Sequence, residues 1–215
     1  MNLDNFEMIF WDFDGVIKDS IEAKTDAFVE LFKPYGETVC KKVYDHHVSN
    51  GGMSRYSKMP IYLKWANEEV TEIKVNKLCN EFGNIVKSKV VNSPWVPGVE
   101  RYLRNNPYQQ TFVLVSATPQ KEMEEIMDEI NLTNSFVSIF GYPISKKNAI
   151  QKTLINQSIS KEKCLMIGDA KVDYDAATDT NISFLFRRHN LNKKIFVGYK
   201  KDLVHDFNFI REEIF

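Results

Sequence analysis

Three cysteines in 215 residues, Cys40, Cys79 and Cys164, stand far apart and form neither a C-x-x-C pair nor a Cys/His ligand spacing. A disulfide framework and a thiol-based metal site are therefore set aside. Cys79 and Cys164 fall at apolar positions of predicted elements and are expected in the core. No apolar run approaches the roughly 20 residues of a membrane span. Neither sign of charge dominates: 28 Lys and Arg face 29 Asp and Glu, a net charge of -1, so no overall field draws nucleic acid or an anionic membrane. The N-terminus, MNLDNFEMIF, has acids where a secretory leader has Lys or Arg, and a cytoplasmic location is expected. Internal repeats and low-complexity tracts are absent. Of the four histidines, His46 and His47 are adjacent and so face different ways, while His189 and His205 have no partner in sequence. Loop or surface positions are expected for all four, with a pocket-lining His46/His47 pair as the alternative.

What is present is an ordinary globular balance, 43% hydrophobic and 27% charged, long enough for one domain or for a core with a smaller insertion. The most telling stretch is Met8 to Gly15, MIFWDFDG. Met8 to Trp11 reads as a buried strand, and side chains two apart leave a strand on the same side, so Asp12 and Asp14 share one crevice. Gly15 lets the backbone turn at once. Two carboxylates so close repel, and a cation or shared proton must relieve them. Mg2+, which binds a few carboxylates plus phosphate oxygens, suits the place. An EF-hand loop does not fit, because its glycine stands sixth and a helix precedes it. An acidic turn with no metal is the alternative for this motif alone.

Beyond Gly15 a helix is expected over Asp19 to Phe32, capped by Asp19 or Ser20 and ended by Pro34 and Gly36. A second is expected near Thr38 to Tyr44, then a loop HHVSNGGMSR. From Ser57 to Lys89 the pattern is helical again, with Val75, Leu78, Cys79, Phe82, Ile85 and Val86 on one face and Pro60 interrupting or starting a helix. After Pro94 and Pro97-Gly98 the character changes. Strands at Phe112 to Val115, Phe136 to Phe140, Cys164 to Ile167 and Ile182 to Phe186 alternate with helices, the signature of a parallel sheet covered on both sides. Pro119 is expected in the first turn of its helix, and another helix begins at about Lys147. The expected architecture is α/β, a Rossmann-like parallel sheet formed by residues 1–16 and 95–215, with an inserted helical domain over 17–94.

In an open parallel sheet, ligands bind beyond the carboxyl ends of the strands. Four predicted strand ends lead to polar groups there: Asp12 with Asp14, Ser116, the Lys146 region, and Asp169 with Asp173. A hydroxyl, a cation and several acids around one crevice suit the handling of a phosphate ester with Mg2+. On DFDGV at Asp12 to Val16, Ser116 after FVLV, Lys146 in GYPISK and GDAKVD at Gly168 to Asp173, the chain resembles the haloacid dehalogenase-like hydrolases, in their phosphatase branch with a helical cap.

That resemblance implies roles. Asp12 is the implied nucleophile, forming an aspartyl-phosphate that water hydrolyses, and Asp14 the implied acid and base. Mg2+ is implied to be held by Asp12, Asp14 through its backbone carbonyl, and Asp169. Ser116, with the amides of Ala117 and Thr118, is implied to hold phosphoryl oxygens. Lys146 is the implied balancing cation, with Lys147 as the alternative because the motif departs from the commoner Lys-Pro form. Asp173 is implied to support the metal or the lysine. The cap implies a small phosphorylated metabolite as partner, with Arg55 in the loop Asn50 to Arg55 either clamping a second anionic group or lying on the surface. The resulting expectation is a Mg2+-dependent phosphatase, phosphoglycolate phosphatase-like. The alternatives are a beta-phosphoglucomutase-like transferase and a catalytically idle binding domain on the same fold.

Overall fold

A single six-stranded sheet of parallel strands runs through the computed structural model, which describes residues 2–194, 196–197, 199 and 202–208. The strands are β1 (Met8–Trp11), β2 (Thr111–Pro119), β3 (Ser138–Tyr142), β4 (Cys164–Gly168), β5 (Ser183–Arg187) and β6 (Leu203–Val204). Their order across the sheet is β3-β2-β1-β4-β5-β6, and every neighbouring pair is parallel. The chain starts at the centre on β1, steps outward to β3, then returns to build on the other flank of β1. That reversal between β1 and β4 opens a crevice beyond their carboxyl ends. β1 and β4 are buried along their whole length, as all-apolar strands covered on both faces must be.

The chain between β1 and β2 opens with four helices, α1 (Ile21–Phe32), α2 (Glu37–Ser49), α3 (Arg55–Trp65) and α4 (Glu72–Asn92), before a short fifth that leads into β2. The predicted helical stretch from Ser57 to Lys89 is two helices. The break falls at residues 66–71, where Asn67 takes a positive φ of 55° and the Thr71 side chain accepts from the Lys74 amide at 3.2 Å to start α4. Pro60 lies inside α3. α2 runs further than its pattern suggests and takes in His46 and His47, which are therefore helical. That fifth helix is α5 (Val99–Asn105), and α6 (Gln120–Glu129), α7 (Lys146–Asn156) and α8 (Lys171–Thr180) follow β2, β3 and β4 in turn. α5 and the two-residue β6 carry no clear sequence signal. Pro119 ends β2 and stands at the N-cap of α6 instead of in its first turn, since its missing N–H costs nothing there.

One apolar cluster joins the sheet face at Ile9, Trp11 and Leu165 to Phe28, Met59 and Phe82 of the inserted helices. A second fills the opposite face around Met8, Phe10, Met166 and Phe184. Cys79 and Cys164 are both buried, as expected, whereas Cys40 is half-buried. Among the described residues no helix is long and apolar enough to cross a membrane. Residues 209–215 of the expected sheet domain lie outside the described residues.

Candidate active site

Asp12 is the first residue past β1, the central strand, and Asp169 the first past β4 beside it. Ladder register sets Trp11 against Ile167, so the two acids leave the sheet side by side. The turn after them needs a glycine. Gly15 has φ +75°, and a Cβ there would stand 2.6 Å from Asp169 Oδ2 and 2.5 Å from Ile21 Cδ1. Gly168 is needed for space, because a Cβ on it would lie 2.2 Å from that of Asp173.

The acids are held in fixed poses. Asp12 Oδ1 accepts from the Phe13 amide at 2.8 Å and lies 2.7 Å from Lys146 Nζ, which leaves Oδ2 without a hydrogen bond among the described residues. Lys146 also meets Asp173 Oδ1 at 2.5 Å. Asp173 Oδ2 accepts from the amides of Asp169 and Ala170 at 3.2 and 3.0 Å. Lys146, Asp12 and Asp173 are all buried. Burial pushes Asp12 up to about 7, against the pull of Lys146 and with the help of repulsion from Asp173 and Asp14. It raises Asp169 and Asp173 as well. Lys146 is likewise held above the usual lysine range, because its two carboxylate partners outweigh desolvation.

Oxygen atoms of Asp12, Asp169 and Asp173 lie within 4.8 Å of one another. Three buried carboxylates so close, facing one lysine, carry more negative charge than the protein balances. Hard oxygen donors with an excess of charge fit a small divalent cation.

Lys146, not Lys147, reaches the acids, and helix geometry explains why. Ser145 caps α7, so Lys146 is its first residue and its side chain leans back over the N-terminus. Lys147, a step round the helix, pairs with Asp179 on α8 at 2.9 Å.

Ser116 lies where the β2–β3 register slips, between the pairs Val115–Phe140 and Pro119–Tyr142. Its hydroxyl accepts from the Thr118 amide at 3.2 Å. Ala117 and Thr118 line a chamber of about 60 Å³ together with Asp12, Asp14 and Asp169. Ser116 and Lys146 line an adjoining cleft of about 360 Å³, which shares Gly52 and Ala117 with the chamber.

Asp14 is doubly engaged. Ser20 donates to Oδ1 at 2.7 Å, and Lys24 bonds both Oδ2 and Thr118 Oγ1, the latter at 2.9 Å. Ser20, at the N-cap of α1, thus gives its hydroxyl to the acid and makes no cap bond. Arg55 is the first residue of α3 and lines the chamber, but its guanidinium is already committed. It meets Glu122 of α6 in a fork at 2.9 and 2.5 Å and donates to the Cys79 carbonyl at 3.2 Å.

Other residues reach the site with little warning in the sequence. His189, expected to lack a partner, donates from Nε2 to Asp169 Oδ2 at 2.9 Å. Its proton is fixed there because Nδ1 accepts from the Leu191 amide. Asn192 ties the Asp169 and Arg187 carbonyls together at 2.9 Å each. His47 and Lys58 line the chamber from α2 and α3. The only prior signal for any of these was the alternative of a pocket-lining His46/His47 pair.

Comparisons with known proteins agree with the fold. The family model for haloacid dehalogenase-like hydrolases matches residues 9–186. Solved structures align over nearly the whole chain. A beta-phosphoglucomutase from Clostridium difficile is 19% identical, with 97% of this chain and 94% of that one covered and a TM-score of 0.74. A predicted phosphoglycolate phosphatase from Haemophilus somnus is 17% identical, with 94% and 95% covered and a TM-score of 0.73. The CbbY protein of Rhodobacter sphaeroides, in complex with phosphate, is 12% identical, with 94% and 95% covered and a TM-score of 0.75. At these identities the likeness speaks for the fold. No curated protein matches the chain.

Proposed function

The chain belongs to the haloacid dehalogenase-like hydrolase family, and from that premise we propose a Mg2+-dependent phosphatase that hydrolyses a small phosphorylated metabolite, phosphoglycolate-like in size, through an aspartyl-phosphate. One observation carries the reading: Asp12 ends the central strand with one carboxylate oxygen tied to Lys146 and the Phe13 amide and the other free, in a chamber shared with Asp14 and Asp169.

In the first step the free oxygen of Asp12 attacks phosphorus and the ester P–O bond breaks. The departing oxygen takes a proton from Asp14, which must part from Lys24 when substrate enters. In the second step water attacks the phosphoryl group, returns a proton to Asp14 and frees the Asp12 carboxylate. Ser116 and the amides of Ala117 and Thr118, at the slip in β2, would hold phosphoryl oxygens, the Thr118 amide leaving the Ser116 hydroxyl when they arrive. Lys146 steadies Asp12 and balances its charge in both steps. A Mg2+ ion would be held by Asp12, the Asp14 carbonyl and Asp169, and when bound it supplies the neutralisation that lets an anion approach a carboxylate. Asp173 orients Lys146 and the Asp169–Ala170 turn, and His189 orients Asp169. Residues 17–94 are read as a cap over this chamber. A chamber of about 60 Å³ has room for roughly four to six waters, so the reacting end of the substrate is small.

Phosphate release from a panel of phosphorylated metabolites and an aryl phosphate tests this. Release is expected with Mg2+, lost on chelation, and at least about a thousandfold lower in Asp12→Asn. Full activity in that variant would remove Asp12 from the chemistry. Isomerisation of a sugar phosphate without net phosphate release would favour the transferase.

A further inference from the structure

Lys58 lies on α3, one turn after Arg55, and is 1% exposed. It lines the chamber with Asp12, Asp14 and Asp169. Where Arg55 has Glu122, Lys58 has only His47, whose Nδ1 is 2.9 Å from Nζ, and among the described residues no carboxylate reaches it. An ammonium has three donors, so two are left over in a wall that includes Phe28, Met53 and Phe82. The Phe28 ring lies 5.6 Å from Nζ and offers only a weak partner. Burying an amine without a counter-charge costs free energy that plain packing does not repay. Burial and Lys24 together hold the Lys58 ammonium down at about 7, with Asp14 and Asp169 pulling the other way less strongly. An anion in the chamber would supply what the fold withholds.

We propose that Lys58, oriented by His47, binds a second anionic group, a carboxylate or phosphoryl group, at the far end of a short phosphomonoester whose reacting phosphoryl group sits at Asp12. The proposal rests on the catalytic reading above for which end of the substrate meets Asp12. Asp12 and Lys58 line the same chamber, so one short substrate can meet both. Lys58 is on this reading the specificity residue that Arg55 is not, because the arginine's charge is neutralised within the protein.

Kinetics on the full chain with three esters test it: phosphoglycolic acid, its carboxamide, and ethane-1,2-diyl bisphosphate. Wild type is expected to prefer the acid or the bisphosphate over the carboxamide by about tenfold or more, the worth of one charge-assisted hydrogen bond. Lys58→Met is expected to erase that preference, mainly through KM, and to leave the carboxamide within about threefold; Lys58→Arg keeps part of it. The doubly charged ester that loses more identifies the second anion. Equal losses on all three esters, or no preference in wild type, would overturn the proposal. Equilibrium binding of phosphonoacetate against ethylphosphonate, neither of which is hydrolysed, repeats the comparison without turnover. A phosphonoacetate preference lost in Lys58→Met, with no hydrolysis of any ester, would support the proposal and overturn the catalytic reading. Turnover that depends on Asp12, together with equal binding of the two phosphonates, would overturn the proposal alone.

Discussion

His47 illustrates how a residue's setting decides its chemistry. It is buried, its ring lies 4.8 Å from that of Phe28, and desolvation together with the neighbouring Lys58 and Lys24 keeps its pKa well below the ordinary 6.5. The unfolded chain therefore takes up a proton at mildly acid pH that the folded chain refuses. Stability tied to this group is present above pH 6.5 and is lost as pH falls below it, with a slope of at most about 1.4 kcal/mol per pH unit. Urea unfolding at pH 7.5, 6.5 and 5.5 should show that slope reduced in His47→Gln; an unchanged slope would mean that the imidazole titrates as it does in water. Sequence could not supply this setting, because the partners of His47 lie 11 and 19 residues away on other helices. The opposite holds for Asp12 and Asp169, which stand at the ends of apolar runs where strand geometry aims them. The choice between Lys146 and Lys147 needed one further fact, that Ser145 accepts from the Asn148 amide and so starts α7 one residue earlier than its pattern suggests.

Between elements, α3 and α6 are joined by the Arg55–Glu122 fork, while Tyr56 of α3 stacks on Tyr142 of β3 with ring centroids 4.7 Å apart. Arg55 is further enclosed by the Phe82 ring at 4.7 Å from its guanidinium carbon. A bidentate pair whose arginine is buried and whose glutamate is half-buried is costly to break on the glutamate side, because the buried guanidinium stays behind without compensation. Glu122→Ala is expected to lower unfolding free energy by about 3–5 kcal/mol, and the double variant Arg55→Met/Glu122→Ala to recover much of that loss. Denaturant titrations of the four proteins form the cycle. Additive losses would show that the two side chains act separately. The helices that take part were legible from their apolar periodicity, and so was the strand–helix alternation after residue 111. Their exact meeting points were not, since a charge on a helix surface reads the same whether it faces water or a neighbouring helix. The extension of α2 through His47 was hidden by the run His46-His47-Val48-Ser49-Asn50-Gly51, whose polar and turn-forming residues mask a helical end.

At the scale of the whole molecule, alternating elements announced a parallel sheet but not its order. That order depends on the chain returning past β1 to lay down β4, a choice made by packing across the two apolar clusters. Its consequence is electrostatic: it gathers Asp12 from one stretch of chain and Asp169 and Asp173 from another, far along it, into one buried cluster that unfolding would disperse. A ligand that binds only the gathered form stabilises the fold by about 2.7 kcal/mol at one hundred times its Kd. For a chain of this size each kcal/mol moves Tm by about 2–4 °C, so saturating Mg2+ should raise Tm by about 5–10 °C. Na+ at equal ionic strength should do far less, since screening acts weakly on buried groups. In Asp169→Asn the Mg2+ shift should vanish, because the carboxylate beside Asp12 is gone while the amide can still accept from His189. A Mg2+ shift of wild-type size in that variant would place the ion elsewhere on the protein and detach the acidic cluster from metal binding.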